Sequence, residues 1–169
     1  NGADMSAVDW EKQTALHFAA KEGHVDVVKV LIQNGADVNA VDKDKDTALH
    51  YAADIGHADV AKVLIQNGAD VNAVECNKWT ALHNAVREGH VDVVKVLIQN
   101  GVDVNAVDYE KSTALHAAIC KLQHRESADT YEVALQLLCF GADIDEKTID
   151  ESDEIDEPKF PPRLRDVLI

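Results

Sequence analysis

Residues 14–40 read TALHFAAKEGHVDVVKVLIQNGADVNA, and close copies of this run recur downstream. Thr-Ala-Leu-His begins at Thr14, Thr47, Thr80 and Thr113, each 33 residues after the last. Gly-Ala-Asp keeps the same step at Gly2, Gly35 and Gly68, and Gly-Val-Asp stands at Gly101. A fixed period of this length marks one structural unit copied along the chain. Within a copy, Thr14 is placed to cap a helix with its hydroxyl. Ala15, Leu16, Ala19 and Ala20 follow with helical spacing, and the helix should end near Gly23. Val25, Val27, Val28, Val30, Leu31 and Ile32 predict a second, more apolar helix, stopped at Asn34-Gly35, where glycine supplies a left-handed cap. A single unit cannot bury that Val/Leu/Ile face, but stacked neighbours can. Gly23–Gly35 and Gly89–Gly101 are identical, which implies the same packing role for both.

Composition narrows the function. The chain is 46% apolar over 169 residues, enough for one globular domain or one short repeat array. No apolar run approaches the roughly 18 residues of a membrane span, and the first residues carry no signal-peptide pattern. Against 16 Lys and Arg stand 31 Asp and Glu, a formal charge of −15. Phosphate backbones and anionic membranes repel such a surface, so neither nucleic acid nor membrane is expected. A basic or polar protein partner fits better. Cys76, Cys120 and Cys139 are odd in number and match no zinc or redox spacing, which reads as reduced thiols in an intracellular, cytoplasmic protein. No Ser/His/Asp set, P-loop or singled-out carboxylate pair appears, so no catalytic residue, metal or cofactor is expected. The period is already under way at Asn1, whose Asn-Gly-Ala-Asp matches Asn34-Gly-Ala-Asp, and this reads as a fragment or as a chain lacking upstream repeats.

The pattern D-x-x-x-x-T-A-L-H-x-A-A-x-x-G-H-x-D-V-V-K-V-L-I-x-N-G-A-D-V-N-A resembles the ankyrin repeat over about residues 1–147. The resemblance implies an all-α solenoid of helix-turn-helix units with β-turn fingers and a monomeric, non-catalytic protein-interaction role. It divides the chain into a partial leading repeat (1–8), repeats at 9–41, 42–74 and 75–107, and a repeat at 108–147 with an insertion. Residues 148–169 are left as an acidic linker and capping segment. Two departures are regular. Lys12, Lys45, Lys78 and Lys111 stand where the family usually has a finger glycine, and Ala15, Ala48, Ala81 and Ala114 where it has proline. Either the turn differs or each finger carries strain of roughly 1 kcal/mol.

Ankyrin partners usually dock on the finger tips and the exposed, concave side of the first helices. The corresponding residues here are Trp10, Glu11, Gln13, Lys21 and Glu22; Lys43, Asp44, Asp46, Asp54 and Ile55; Cys76, Asn77, Trp79, Arg87 and Glu88; Tyr109, Glu110, Ser112, Cys120 and Lys121. Both tryptophans of the chain fall on fingers, and Trp, Tyr and Arg dominate interface energetics. Family histidines bond neighbouring turns, so those of the TALH and Gly-His strings read as scaffold. Asparaginyl hydroxylation of such arrays favours a leucine eight residues before its target. Asn39, Asn72 and Asn105 meet that condition through Leu31, Leu64 and Leu97, and they also suit the role of loop-holding residues.

The fourth unit breaks the step by seven residues within Lys121–Tyr131, read as a bulge or as a protrusion beside the docking face. Residues 143–157 are mostly acidic, and Pro158–Ile169 suggests a short capping helix. This last segment also resembles the opening of F-box-like and cullin-box segments, which keeps a ubiquitin-ligase adaptor open as an alternative. A structural spacer or regulatory cover within a longer protein is the other.

Overall fold

The computed structural model describes residues 4–124 and 128–144. The expected capping segment, with its box-like resemblance, lies outside these residues, as does all but the start of the acidic run. The first helices of the four units are α1 (Ala15–Lys21), α3 (Ala48–Ile55), α5 (Ala81–Glu88) and α7 (Ala114–His124). The second helices are α2 (Val25–Gln33), α4 (Ala58–Gln66), α6 (Val91–Gln99) and α8 (Ala128–Cys139). Each first helix packs on its own second helix and on the first helices beside it, and the second helices form a parallel row of neighbours. The leucine of every TALH string is buried, as are Leu64, Leu97 and Leu137 of the second row. Each such side chain contributes about 1.5–3 kcal/mol on leaving water. Ala20, Ala52, Ala53, Ala85 and Ala118 are fully buried, which lets the first helices approach closely.

The four threonines sit at the helix N-caps, where the hydroxyl faces the N–H of the histidine three residues on and that histidine's ring answers the threonine N–H. His17 Nδ1 lies 3.0 Å from the Thr14 N–H and 2.9 Å from its hydroxyl. An amide N–H only donates, so Nδ1 accepts and the proton belongs on Nε2. Nε2 then donates to the Asp46 carbonyl of the next finger at 3.1 Å, and His50 makes the same bond to the Trp79 carbonyl at 3.2 Å. His83 is loosened: its Nε2 feels the Ser112 carbonyl without a hydrogen bond of ordinary geometry, and its ring stacks on Trp79. Two of the Gly-His histidines reach backwards instead, His57 to the Lys21 carbonyl at 3.1 Å and His90 to the Asp54 carbonyl at 3.0 Å. Each closes the C-terminal end of the preceding first helix.

Every finger is a hydrogen-bonded β-turn that ends on a left-handed residue. The Lys12 N–H donates to the Asp9 carbonyl and the Asp9 N–H to the Gln13 carbonyl, both at 3.1 Å. The left-handed residue is the lysine: φ is 63° at Lys12, 67° at Lys45, 64° at Lys78 and 60° at Lys111. The turn is therefore kept and the strain is carried. One carboxylate holds each loop, as where Asp42 Oδ1 accepts from the N–H groups of Asp44 (2.8 Å) and Asp46 (2.9 Å). Glu75 does the same in the third finger. Changing all four lysines to glycine relieves about 1 kcal/mol of left-handed strain per site, partly offset by glycine's greater freedom in the unfolded chain. The quadruple variant is expected to gain about 2 kcal/mol, read as a raised urea midpoint; no gain would mean the lysines are unstrained.

The inserted residues of the fourth unit lengthen its helices. α7 has 11 residues and α8 has 12, against 7 or 8 and 9 in the units before. The extra turn of α7 brings Leu122 onto the core. With the Gly-His turn gone, the Lys121 ammonium donates to the Arg87 carbonyl, the place that His90 and His57 serve one and two units earlier.

Candidate functional site

The fingers are tied in series by backbone bonds: Lys43 N–H to the Glu11 carbonyl and Cys76 N–H to the Asp44 carbonyl, both 2.9 Å, then Tyr109 N–H to the Asn77 carbonyl at 3.4 Å. This ribbon and the first helices behind it form one face. In its middle, across the second to fourth fingers, opens a cleft of about 460 Å³. Asp46, Asp54, Asn77, Trp79, Arg87, Tyr109 and Glu110 of the expected docking residues line it, joined by His50, Tyr51, Glu75, Asn84 and Asp108.

Trp79 is held on several sides. Its indole N–H donates to Asp108 Oδ2 at 3.2 Å, one ring face stacks on His83 at 6.2 Å, and the Arg87 guanidinium lies 4.8 Å from its centroid. Arg87 also pairs with Asp54 and Glu88, each at 2.8 Å, so the one cationic side chain lining the cleft is already committed. The Asp46 carboxylate has no hydrogen bond or ion pair among the described residues. Partial burial, with Asp42, Glu75, Asp44 and Asp54 nearby, pushes its pKa up to about 7.

The other expected residues lie outside the cleft. Trp10, 85% exposed, carries the Lys43 ammonium 5.1 Å from its ring, and Lys43 also pairs with Glu11. Gln13 donates to the Tyr51 hydroxyl at 2.6 Å, and Lys21 lies over the Tyr51 ring at 5.7 Å. Asp44 serves through its backbone, Ile55 is exposed on α3, and Lys121 is engaged in capping. Cys76 is exposed, its thiol against Glu75 at 3.1 Å. Asn39 and Asn105 hold both ends of their amides against the next loop. Asn39 Nδ2 donates to the Gly68 carbonyl at 3.0 Å, and its Oδ1 accepts from the Asp70 N–H at 2.9 Å. Asn105 repeats this with Gly141 and Asp143, while Asn72 accepts from Asp103.

Sequence reasoning passed over Tyr51. Its hydroxyl donates to Asp42 Oδ2 at 2.8 Å and its ring meets His17 edge-on at 5.8 Å, so it joins the first two units and walls the cleft. Burial and the Asp42 contact raise its phenol pKa. The signal was available, because the position after each TALH string varies freely as Phe18, Tyr51, Asn84 and Ala117. Among the described residues, no three His, Cys, Asp or Glu side chains are arranged to hold a metal, and no helix is long and apolar enough to cross a membrane.

A family model for ankyrin repeats in three copies matches residues 1–75 and 62–148. A 33-residue stretch is 54% identical to the mitochondrial liver isoform of glutaminase from Rattus norvegicus, covering 20% of this chain and 6% of that protein. The match is one repeat period long and bears on the repeat alone.

Proposed function

The chain belongs to the ankyrin repeat family, a protein–protein interaction fold, and on that premise we propose that it is a non-catalytic binding module gripping a basic protein segment on its finger and first-helix face. The observation that carries this reading is the cleft between the second and fourth fingers. Five carboxylates, from Asp46, Asp54, Glu75, Asp108 and Glu110, meet one committed arginine there, between the rings of Tyr51, Trp79 and Tyr109. An entering Lys or Arg side chain would pair with Asp46, which otherwise sits desolvated among like charges, and would lay its stem on Trp79. The face is held rigid by the finger ribbon, so little conformational entropy is lost on binding.

The test is titration of a fluorescent Lys/Arg-containing peptide library, with an acidic library as control. The best basic binder should lose about tenfold in affinity with Asp46→Asn, in line with about 1.5–3 kcal/mol for a charged hydrogen bond. Because the ligand selects the ionised carboxylate, its affinity should rise with pH up to about 7 and then level off. Equal binding of acidic and basic peptides, or no loss with Asp46→Asn, would refute the reading.

A further inference from the structure

The chain carries its own candidate for the acidic cleft. Lys159, Arg163 and Arg165 place three cations within the seven residues Lys-Phe-Pro-Pro-Arg-Leu-Arg, with no acid among them. No other seven residues of the chain do so, and its formal charge is −15. The cleft holds the complement, the carboxylates of Asp46, Glu75, Asp108 and Glu110 beside the rings of Trp79 and Tyr109. Phe160 gives the basic stretch an aromatic ring of its own, and Pro161 and Pro162 leave less backbone freedom to lose on docking.

The last described loop starts the intervening chain beside the cleft. The Asp143 N–H donates to Asn105 Oδ1 at 2.8 Å. Asn105 precedes Asp108, which lines the cleft, by three residues, a span of at most about 11 Å. With the Asn105 side chain and the hydrogen bond added, Asp143 lies within about 20 Å of Asp108. Residues 144–158 reach about 50 Å when fully extended, more than twice that gap. The mostly acidic run 145–157 competes for the same cations. Pairs formed with it in open water are screened and gain little. In the cleft a cation meets the partly buried Asp46 carboxylate and an aromatic face together.

We propose that residues 158–169 of the same chain occupy the cleft in cis, Lys159, Arg163 and Arg165 facing its carboxylates and Phe160 its rings, so that an outside basic segment must displace them. This rests on the reading of the cleft as a site for basic segments and adds a built-in competitor to it. A tether of this length gives an effective concentration on the order of 1 mM. A segment whose separate dissociation constant is about 0.1 mM is then bound about nine-tenths of the time, and an outside ligand loses about tenfold in affinity.

The test compares the full chain with its triple variant Lys159→Gln, Arg163→Gln, Arg165→Gln. Of the two tryptophans, Trp79 lines the cleft and Trp10 does not. Their indole N–H resonances in isotope-labelled protein, assigned with Trp10→Phe, therefore report on the cleft and on a control site. The triple change should shift the Trp79 signal and leave that of Trp10 in place. A fluorescein-labelled peptide of residues 158–169 should bind the triple variant about tenfold more tightly than the unaltered chain, and Asp46→Asn should weaken it there. An unmoved Trp79 signal, or equal affinity of the peptide for the two chains, would overturn the proposal. If basic library peptides then still bind in a way that depends on Asp46, the cleft remains a site for basic segments and only its internal occupant is lost. If none binds either chain, the wider reading fails as well. A Trp79 shift that grows with protein concentration, with a dimer in sedimentation, would overturn the cis arrangement and place the segment of a second copy in the cleft.

Discussion

Gly56→Ala is expected to cost about 3 kcal/mol, seen as a lowered urea midpoint, with Gly68→Ala as its internal control. Gly56 has φ of 94° and Gly68 has φ of 90°, so alanine meets the same left-handed penalty at both, roughly 1–2 kcal/mol. The surroundings differ. Nothing lies within 4 Å of a Cβ at residue 68, whereas at residue 56 it would stand 2.6 Å from His90 Nδ1. The imidazole must then swing away and give up its 3.0 Å bond to the Asp54 carbonyl, about 1 kcal/mol more. Adding His90→Ala should make the Gly56→Ala penalty fall to that of Gly68→Ala, since the clash is gone. Equal penalties at the two glycines in the wild-type background would mean that the Gly–His approach contributes nothing.

That pair also shows what was and was not legible in the sequence. The repeat step placed helices and caps because period and glycine position are local properties. It treated all glycines alike, because the approach of His90 to Gly56 joins residues 34 positions apart in chain and next to each other only in the stack. Lys121 was read as a docking residue for the same reason. Nothing in its neighbourhood along the chain says that it closes the α5 helix end once the Gly-His turn is missing. The finger lysines were left between two alternatives, and the carboxylates that hold the loops, Asp9, Asp42, Glu75 and Asp108, decide for a strained turn by bonding two amides each. Of the expected docking residues, those that meet in the cleft come from three successive fingers and the helices behind them. Their convergence follows from stacking geometry, which the linear pattern does not contain. Tyr51 stands outside the docking positions that the family resemblance supplies, although variation at its position is as free as at the finger tips.

The buried TALH histidines and Asp46 predict opposing pH effects on stability. His17, His50 and His83 are held neutral by burial, so their pKa values lie below the ordinary 6.5. The unfolded chain takes up protons there more readily, and their contribution is full above about pH 6.5 and is lost as pH falls below it. Asp46 acts in the reverse sense. The folded chain keeps its proton up to about pH 7, while the unfolded carboxyl releases it near 3.8, so its ionisation erodes stability as pH rises between these values. Three groups outweigh one, and stability is expected to fall below about pH 6.5 with a net uptake of at most two protons on unfolding. Asp46→Asn removes the opposing group. At pH 8 the variant should be more stable, on the order of 1 kcal/mol because the carboxylate remains partly solvated and screened, and its acid limb should steepen by up to one proton. The same substitution is expected to weaken binding of a basic peptide. A change that stabilises the fold while it impairs binding identifies Asp46 as a carboxylate kept at a cost for recognition. If urea midpoints at pH 8 instead drop in Asp46→Asn, the carboxylate is part of the scaffold that holds the second finger, and recognition must be assigned to Trp79 and its neighbours.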